Sequence, residues 1–275
     1  MIKHKQFNVA LSTAFLEIWK QRSLIWQLTK RDVVGRYRGS IMGVLWSFLN
    51  PLAMLVVYTF VFSSIMKTKW NTGSSSLGDF AIVLFAGMII VNLFCECINR
   101  APNTILSNPN FVKKVVFPIE MLPLVNLGSA LFHTIVSTCI LLIFMMFSSV
   151  PFTAYVFLLP VILLPFVLLV AGLSWSLSAF GVYLRDLGQT VSIFTTILTF
   201  LSPLFYKIES VPKEYQKWIY LNPMTFIIEQ ARAVLIWGMA PDWIGLLYYF
   251  IGALFTTWVG YFIFQKTRKG FADVL

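Results

Sequence analysis

At residues 31–51 the chain reads RDVVGRYRGSIMGVLWSFLNP, and it stays apolar from there to Met66. The first part is basic: Lys30, Arg31, Arg36 and Arg38 stand against the single acid Asp32. The second part carries no charge from Ile41 to Met66, a run of 26 residues. A helix rises about 1.5 Å per residue, so about 20 residues cross a hydrocarbon core about 30 Å thick. The run is long enough to span with tilt, and the cations at its near end mark that end as cytoplasmic. Pro51 removes one helical hydrogen bond inside the span and predicts a kink.

Working outward, the same pattern recurs. Of the 275 residues, 58% are hydrophobic and 12% charged, about half the charge of a soluble domain. Six apolar segments stand at roughly 41–66, 80–98, 121–148, 154–182, 189–206 and 243–264. They predict an all-α polytopic membrane protein with six transmembrane helices in a single domain, residues 1–275. Within it, 1–40 form a cytoplasmic and interfacial segment, 41–264 the six-span region and 265–275 a cytoplasmic tail. An even number of spans puts both termini on one side, and the basic tail Lys266, Arg268 and Lys269 agrees. That side then holds 15 of the 21 Lys and Arg, and the two sides carry net charges of +9 and +1. The positive-inside rule thus accounts for the net charge of +10 without a nucleic-acid partner.

Residues 8–28 read as an amphipathic interfacial helix. Leu11, Phe15, Ile18, Trp19, Ile25 and Trp26 recur near helical spacing, with Glu17, Lys20 and Gln21 on the other side. A lipid-surface anchor and a partner-docking element both fit that pattern. The N-terminus does not read as a signal peptide, having no short apolar core before a small-residue cleavage site. Cys95, Cys97 and Cys139 lie in or beside apolar spans without the ligand pattern of a zinc site, and read as small buried hydrophobes.

The second loop, residues 99–123, is the most structured cytoplasmic piece. Asn108-Pro109 starts a short helix through Asn110, Phe111, Lys113 and Lys114, and Pro118 blocks its extension. With Phe117 it forms apolar surface beside two lysines, which suits either a basic interfacial turn or a docking knob.

The fifth segment is interrupted at Ser202-Pro203, and the apolar region after it, residues 218–237, cannot span. It contains Asn222-Pro223 and a polar stripe of Thr225, Glu229 and Arg232, with Glu229 and Arg232 at pairing distance i, i+3. Outer re-entrant helices between spans five and six are one reading, since broken backbone at membrane depth must be covered by protein or line a cavity. A surface amphipathic pair is the other.

The sequence has no phosphate-binding G-x-x-x-x-G-K-[S/T] loop. Its two histidines are His4 and His133, and a lone His133 inside a span reads as hydrogen-bonded between helices. With few acidic or histidine groups in the spans, an ion-gradient drive has little to work with. Energy for transport would come from a partner. Aromatic residues are abundant, 26 Phe, 10 Tyr and 9 Trp. Belts and packing take many of them, but Trp46, Tyr58 and Phe62 fall near one face of the first span and suit sugar rings.

These segments also carry a resemblance. RYRGSIMGVLWSFLNPLAMLVVYTFVFS (36–63) resembles the first span of the membrane subunits of ABC-type polysaccharide exporters. NFVKKVVFP (110–118) resembles that family's cytoplasmic coupling loop, and YLRDLGQTVSI (183–193) its inner turn before span five. LSPLFYKIESVPKEYQKWIYLNPMTFIIEQARAVL (201–235) resembles its outer re-entrant helices, and KGFADVL (269–275) its C-terminus. Order and spacing cover almost the whole chain.

The resemblance implies a permease rather than an enzyme: a homodimer in the bacterial inner membrane, docked to two separate ATPase subunits. ATP and magnesium would be bound there, and no cofactor by this chain. The cargo implied is a lipid-linked polysaccharide, O-antigen foremost, moved through a channel at the dimer interface. Capsular polysaccharide and teichoic acid exporters share these features. A membrane-embedded lipid-linked sugar transferase is the rival class, but the outer acids Glu209, Glu214, Glu229 and Asp242 form no compact constellation in the sequence. On the exporter reading, Trp46, Tyr58 and Phe62 of span one, with Phe194, Phe200 and Phe205 of span five, line the channel. Asn110, Phe111, Lys113, Lys114 and Phe117 couple to the ATPase, with Arg185 and Asp186 nearby. Pro203, Asn222, Pro223, Glu229 and Arg232 form an outer gate.

Overall fold

The computed structural model describes residues 11–61, 79–113, 117–148, 150 and 152–274. Among these, all regular structure is helical. The chain begins with α1 (Leu11–Lys20) and α2 (Arg22–Arg36). One helix over 8–28 was expected from the periodicity; instead there is a break at Gln21 and continuation to Arg36. Arg22 Nη1 donates to the Trp19 carbonyl at 2.9 Å, an acceptor that an unbroken helix assigns to Ser23. The extension is held by tertiary contact, because Thr29 and Val33 are buried. Gly128 permits that approach: a Cβ there would lie 2.7 Å from Thr29 Oγ1. Trp19 and Trp26 face outward at 68% and 70% exposure, while Ile18, Leu24 and Leu28 pack on the core.

Gly39 and Gly43, at φ 88° and 52°, turn the chain from α2 into the first span. After a 3-10 turn at Gly43–Leu45 comes α3 (Trp46–Tyr58), then a wider π-type turn to Val61. Pro51 lies inside α3 and leaves the Ser47 carbonyl without its usual N–H. The sequence boundary at Met66, and Phe62 with it, lies outside the described residues.

The second span, α4 (Asp79–Arg100), is the hub, with most of the span covered by other helices. Around it pack α6 (Leu122–Met146), α7 (Leu159–Tyr183), α8 (Leu187–Leu201), α10 (Pro223–Leu235) and, on one side, α3. The small helices α5 (Pro109–Lys113) and α9 (Lys213–Tyr220) lie in the connections. The chain closes with α11 (Trp243–Thr267) and α12 (Phe271–Val274). Glycine sets the closest approach, between α7 and α11. A Cβ at Gly260 would sit 2.0 Å from the Gly172 carbonyl oxygen, so any larger residue forces the helices apart. Helices in lipid gain little from mutual hydrophobicity, and such small-residue contacts hold them together.

Among the described residues, five helical stretches are long and apolar enough to cross a membrane: Gly43–Val61, Phe80–Asn103, Ile119–Met146, Ala154–Tyr183 and Trp243–Gly270. The expected fifth span, α8, is apolar but has 15 residues, about 22 Å against a core of about 30 Å. It stops at Ser202, where the backbone becomes extended before Pro203. α10 packs into the helical bundle along one face. Ile227, Ile228, Ala231 and Val234 are buried, and the stripe of Thr225 and Arg232 is buried with them. Cys97 is buried and Cys95 half-buried, but Cys139 lies on the outward face of α6, contrary to the expectation. Its neighbour Ile135, one helical turn away, shares that exposed apolar face.

Candidate functional site

One end of the bundle gathers charge from three elements that the sequence keeps far apart. Arg100, ending α4, donates through Nη2 to Asp32 of α2, at 2.9 Å and 3.0 Å to its two oxygens. Ser129 Oγ of α6 donates to the same carboxylate at 2.7 Å. One turn along α2, Arg36 pairs with Glu96 of α4, and Arg100 Nη1 approaches Glu96 to 3.8 Å. His133 of α6 completes the group, as the expectation of an interhelical hydrogen bond foresaw. Its Nδ1 lies 3.2 Å from Glu96 and its Nε2 3.3 Å from the Tyr37 hydroxyl. Arg36 Nη1 also lies 3.2 Å from Nδ1, so both ring nitrogens have polar partners. Burial alone would push Asp32 up. The hydrogen bonds from Arg100 and Ser129, with the charges of Arg100 and Arg36, outweigh it and hold the carboxyl below the ordinary range.

The expected coupling residues lie at this same end. Phe117 is buried, with Phe111 half-buried on top of it at a ring separation of 4.4 Å. Arg31 covers the other side of Phe111, 5.9 Å from its centroid. Asn110 and Lys113 are exposed; Lys114 lies outside the described residues. Phe117 therefore supports this turn from within, and Phe111, Asn110 and Lys113 lie on its outer side. Arg185 and Asp186 are exposed at the turn into α8, which rests on the second loop where Gly188 meets the Asn103 side chain. The tail joins through Arg268, which binds Glu120 at 2.7 Å.

From this cluster a cavity of about 1020 Å³ runs between α3, α4 and α6. Ser47, Asn50, Met54 and Tyr58 of α3 reach it, spaced one helical turn apart. Trp46 does not line it. Twelve residues separate Trp46 from Tyr58, about a third of a turn more than three full turns, so the two look in different directions. Trp46 is 45% exposed on the outside of the chain. Phe194, Phe200 and Phe205 are exposed at 57%, 68% and 42%, also outside the cavity. The sequence reading missed the cavity's polar floor on α4 (Asn92, Glu96, Asn99). The available signal was an Asn-x3-Glu-x2-Asn spacing inside an apolar span.

At the other end of α4 stands the expected gate. The break at Pro203 frees carbonyls that an ending helix cannot satisfy itself. Leu198 accepts from Asn222 Nδ2 at 2.7 Å and Leu201 from the Tyr206 hydroxyl at 2.9 Å. Arg232, fully buried, donates to the carbonyls of Pro203 (2.6 Å), Leu204 (3.2 Å) and Val83 of α4 (3.1 Å), and pairs with Glu229 at 3.2 Å. Asn222 caps α10 by accepting from Met224 N–H, and the Pro223 carbonyl accepts from Tyr249. Arg232, Glu229 and Pro203 thus share one hydrogen-bonded joint, while Asn222 and Pro223 tie the start of α10 to α8 and α11.

Residues 23–236 match the ABC-2 type transporter family. The O-antigen export system permease protein RfbA of Klebsiella pneumoniae is 26% identical over 250 residues, covering 90% of this chain and 93% of that one. Its namesake from Myxococcus xanthus is 27% identical over 260 residues, covering 94% and 97%. The polysialic acid transport protein KpsM of Escherichia coli is 23% identical over 254 residues, covering 90% and 95%.

Proposed function

The chain belongs to the ABC-2 type transporter family, and from that premise we propose that it is the membrane subunit of an ATP-driven exporter of lipid-linked polysaccharide. The cargo is O-antigen, and the membrane is the bacterial inner membrane. The observation that carries this reading is the likeness, over nearly the full length of both chains, to permeases named for O-antigen export. Capsular polysaccharide is the second substrate class, on the lower identity to KpsM. The transferase reading is set aside, since the relatives are named for export and transport.

On this reading two copies meet through the faces of α3 and α8 that the single chain leaves uncovered. Phe48, Leu52 and Val56 of α3 are at least 45% exposed, and so are Ile193, Phe194 and Phe200 of α8. The aromatic side chains there give a passing polymer many similar, weak contacts, where one tight site would hold it. The fifth of six spans is α8, completed by the joint around Arg232, which keeps α9 and α10 tucked into the outer leaflet as a gate. Both termini face the cytoplasm. A separate ATPase subunit binds ATP with magnesium and seats on Phe111, Asn110 and Lys113, beside Arg185 and Asp186.

Topology and assembly test it together. In a cysteine-free chain, a thiol at Tyr215 should react with an impermeant reagent applied outside the cell, and one at Ser107 should not. A thiol at Phe200 should cross-link to its copy, and the chain should co-purify with an ATPase subunit. Reversed labelling with no cross-link and no ATPase would overturn the proposal.

A further inference from the structure

α4 is covered on nearly every side except for one stripe. Within Phe80–Asn103, Asn92 and Asn99 are exposed, two turns apart, and both line the cavity between α3, α4 and α6. Asn92 stands near the middle of the span, 12 residues from Phe80 and 11 from Asn103. Across the cavity, Asn50 of α3 is also exposed toward it. Asn99 Oδ1 accepts from Thr195 at 2.8 Å, which leaves its NH2 group available. Asn50 and Asn92 make no side-chain hydrogen bond among the described residues. An unsatisfied amide in hydrocarbon is costly, so polar side chains at such depth belong where a cavity or a ligand serves them. The cavity volume, about 1020 Å³, reaches the top of the range of small-molecule sites, about 300–1,000 Å³.

We propose that Asn50, Asn92 and Asn99 form a hydroxyl-reading track for sugar residues inside each subunit, a binding site distinct from the aromatic faces between subunits. The chemistry fits an uncharged, hydroxyl-rich polymer. Each free amide offers an oxygen that accepts and an NH2 that donates, matching neighbouring ring hydroxyls that can do both. Met54, Tyr58 and Phe85 on the cavity walls supply apolar contact for the C–H faces of the rings. The carboxylates near the track, Asp32 and Glu96, are already engaged by Arg100 and Arg36. Arg31, Arg36, Arg100 and His133 also line the cavity, but the three amides of the track are themselves neutral and bind weakly enough to release the polymer.

This inference rests on the export reading, and the test separates the two. The complex with its ATPase subunit is placed in vesicles, with the native cysteines replaced, and single thiols are set at Asn92 and at Phe200. Both are titrated with a water-soluble, charged thiol reagent, with and without lipid-linked polysaccharide isolated from the wild-type cells. Export is measured in parallel for Asn50→Leu, Asn92→Leu and Asn92→Gln. We expect the thiol at 92 to react and to be protected by the polysaccharide. Each Leu variant should slow export by about two- to tenfold, the worth of a hydrogen bond or two, and Asn92→Gln should recover most of the rate. Protection at 200 but not at 92, with both Leu variants exporting at the wild-type rate, would overturn the track and leave the export reading intact. No protection at either position, with no polysaccharide moved by the wild-type complex, would overturn both.

Discussion

The two ends of α4 are both tied by arginine, but in opposite ways. Near its start, Arg232 is fully buried, and it donates to three backbone carbonyls that cannot move without unfolding a helix end. Near its finish, Arg36 and Arg100 are each about a third exposed, and their partners are side chains rather than backbone carbonyls. There two carboxylates, Asp32 and Glu96, share two arginines and one histidine. Donors can exchange without leaving either acid alone. The difference separates a fixed joint beside Pro203 from a re-pairable latch beside Phe111 and Lys113. Under the proposed function, the first would hold an outer gate closed and the second would pass on the motion of an ATPase partner.

The largest effect should come from breaking the fixed joint. Arg232→Met strands three carbonyls in the interior and leaves the half-buried Glu229 without this partner, at about 3–5 kcal/mol. We expect little monodisperse protein after detergent extraction, with Arg232→Lys intermediate. The double variant Arg232→Met/Glu229→Gln should regain part of the loss, because the stranded charge is gone. An Arg232→Met chain as heat-stable as wild type would mean the joint is not what holds α10.

Next comes the knob at the latch end. Phe111→Asp puts a charge where a partner's apolar groove should close, and buried interface anchors are worth about 2 kcal/mol or more. ATPase association should be lost while membrane insertion stays normal. A pull-down that recovers the ATPase in full would remove Phe111 from the docking surface.

The latch itself should cost less. Asp32→Asn keeps the shape but removes the charge that receives Arg100 and Ser129, at about 1–3 kcal/mol. The folded Asp32 carboxyl is held below its ordinary range, so its contribution is complete above the unfolded value, about 3.9, and fades as pH falls through the folded one. Between pH 8 and pH 5 the stability gap between wild type and Asp32→Asn should stay constant, and it should narrow only in stronger acid. A gap that closes by pH 6 would contradict this role for Asp32.

How far the sequence could foresee this contrast depends on the range of the contacts. The α5 start at Asn108-Pro109 and the end of α8 at Ser202-Pro203 were legible because proline acts locally. So was the Glu229–Arg232 pair, which lies within one helical turn. The extension of α2 to Arg36 was not legible: residues 22–36 show no clear apolar stripe, and burial of Thr29 against Gly128 decides it. The latch was hidden for the same reason, since Asp32 and Ser129, or Arg36 and Glu96, meet only through the packing of α2 on α4 and α6. The aromatic stripe of the first span was misaligned because twelve residues overshoot three turns. The line that faces the cavity runs through Ser47, Asn50, Met54 and Tyr58.

That misalignment gives the smallest expected effect. Tyr58→Ala, inside the cavity, and Trp46→Ala, on the outer face of α3, should each slow export of long chains more than short ones. Single contacts among many weak ones cost about 1 kcal/mol or less. Equal rates for all chain lengths in both variants would assign the two rings to packing.

The most direct test of the central claim is transport itself. The chain and its ATPase subunit are reconstituted together in sealed vesicles, lipid-linked polysaccharide is supplied on the ATP side, and the polymer that appears on the other side is measured over time. The account expects transfer that requires ATP, requires both proteins and stops with Phe111→Asp. Transfer that proceeds without the ATPase, or a complete complex that hydrolyses ATP and moves no polysaccharide, would contradict it.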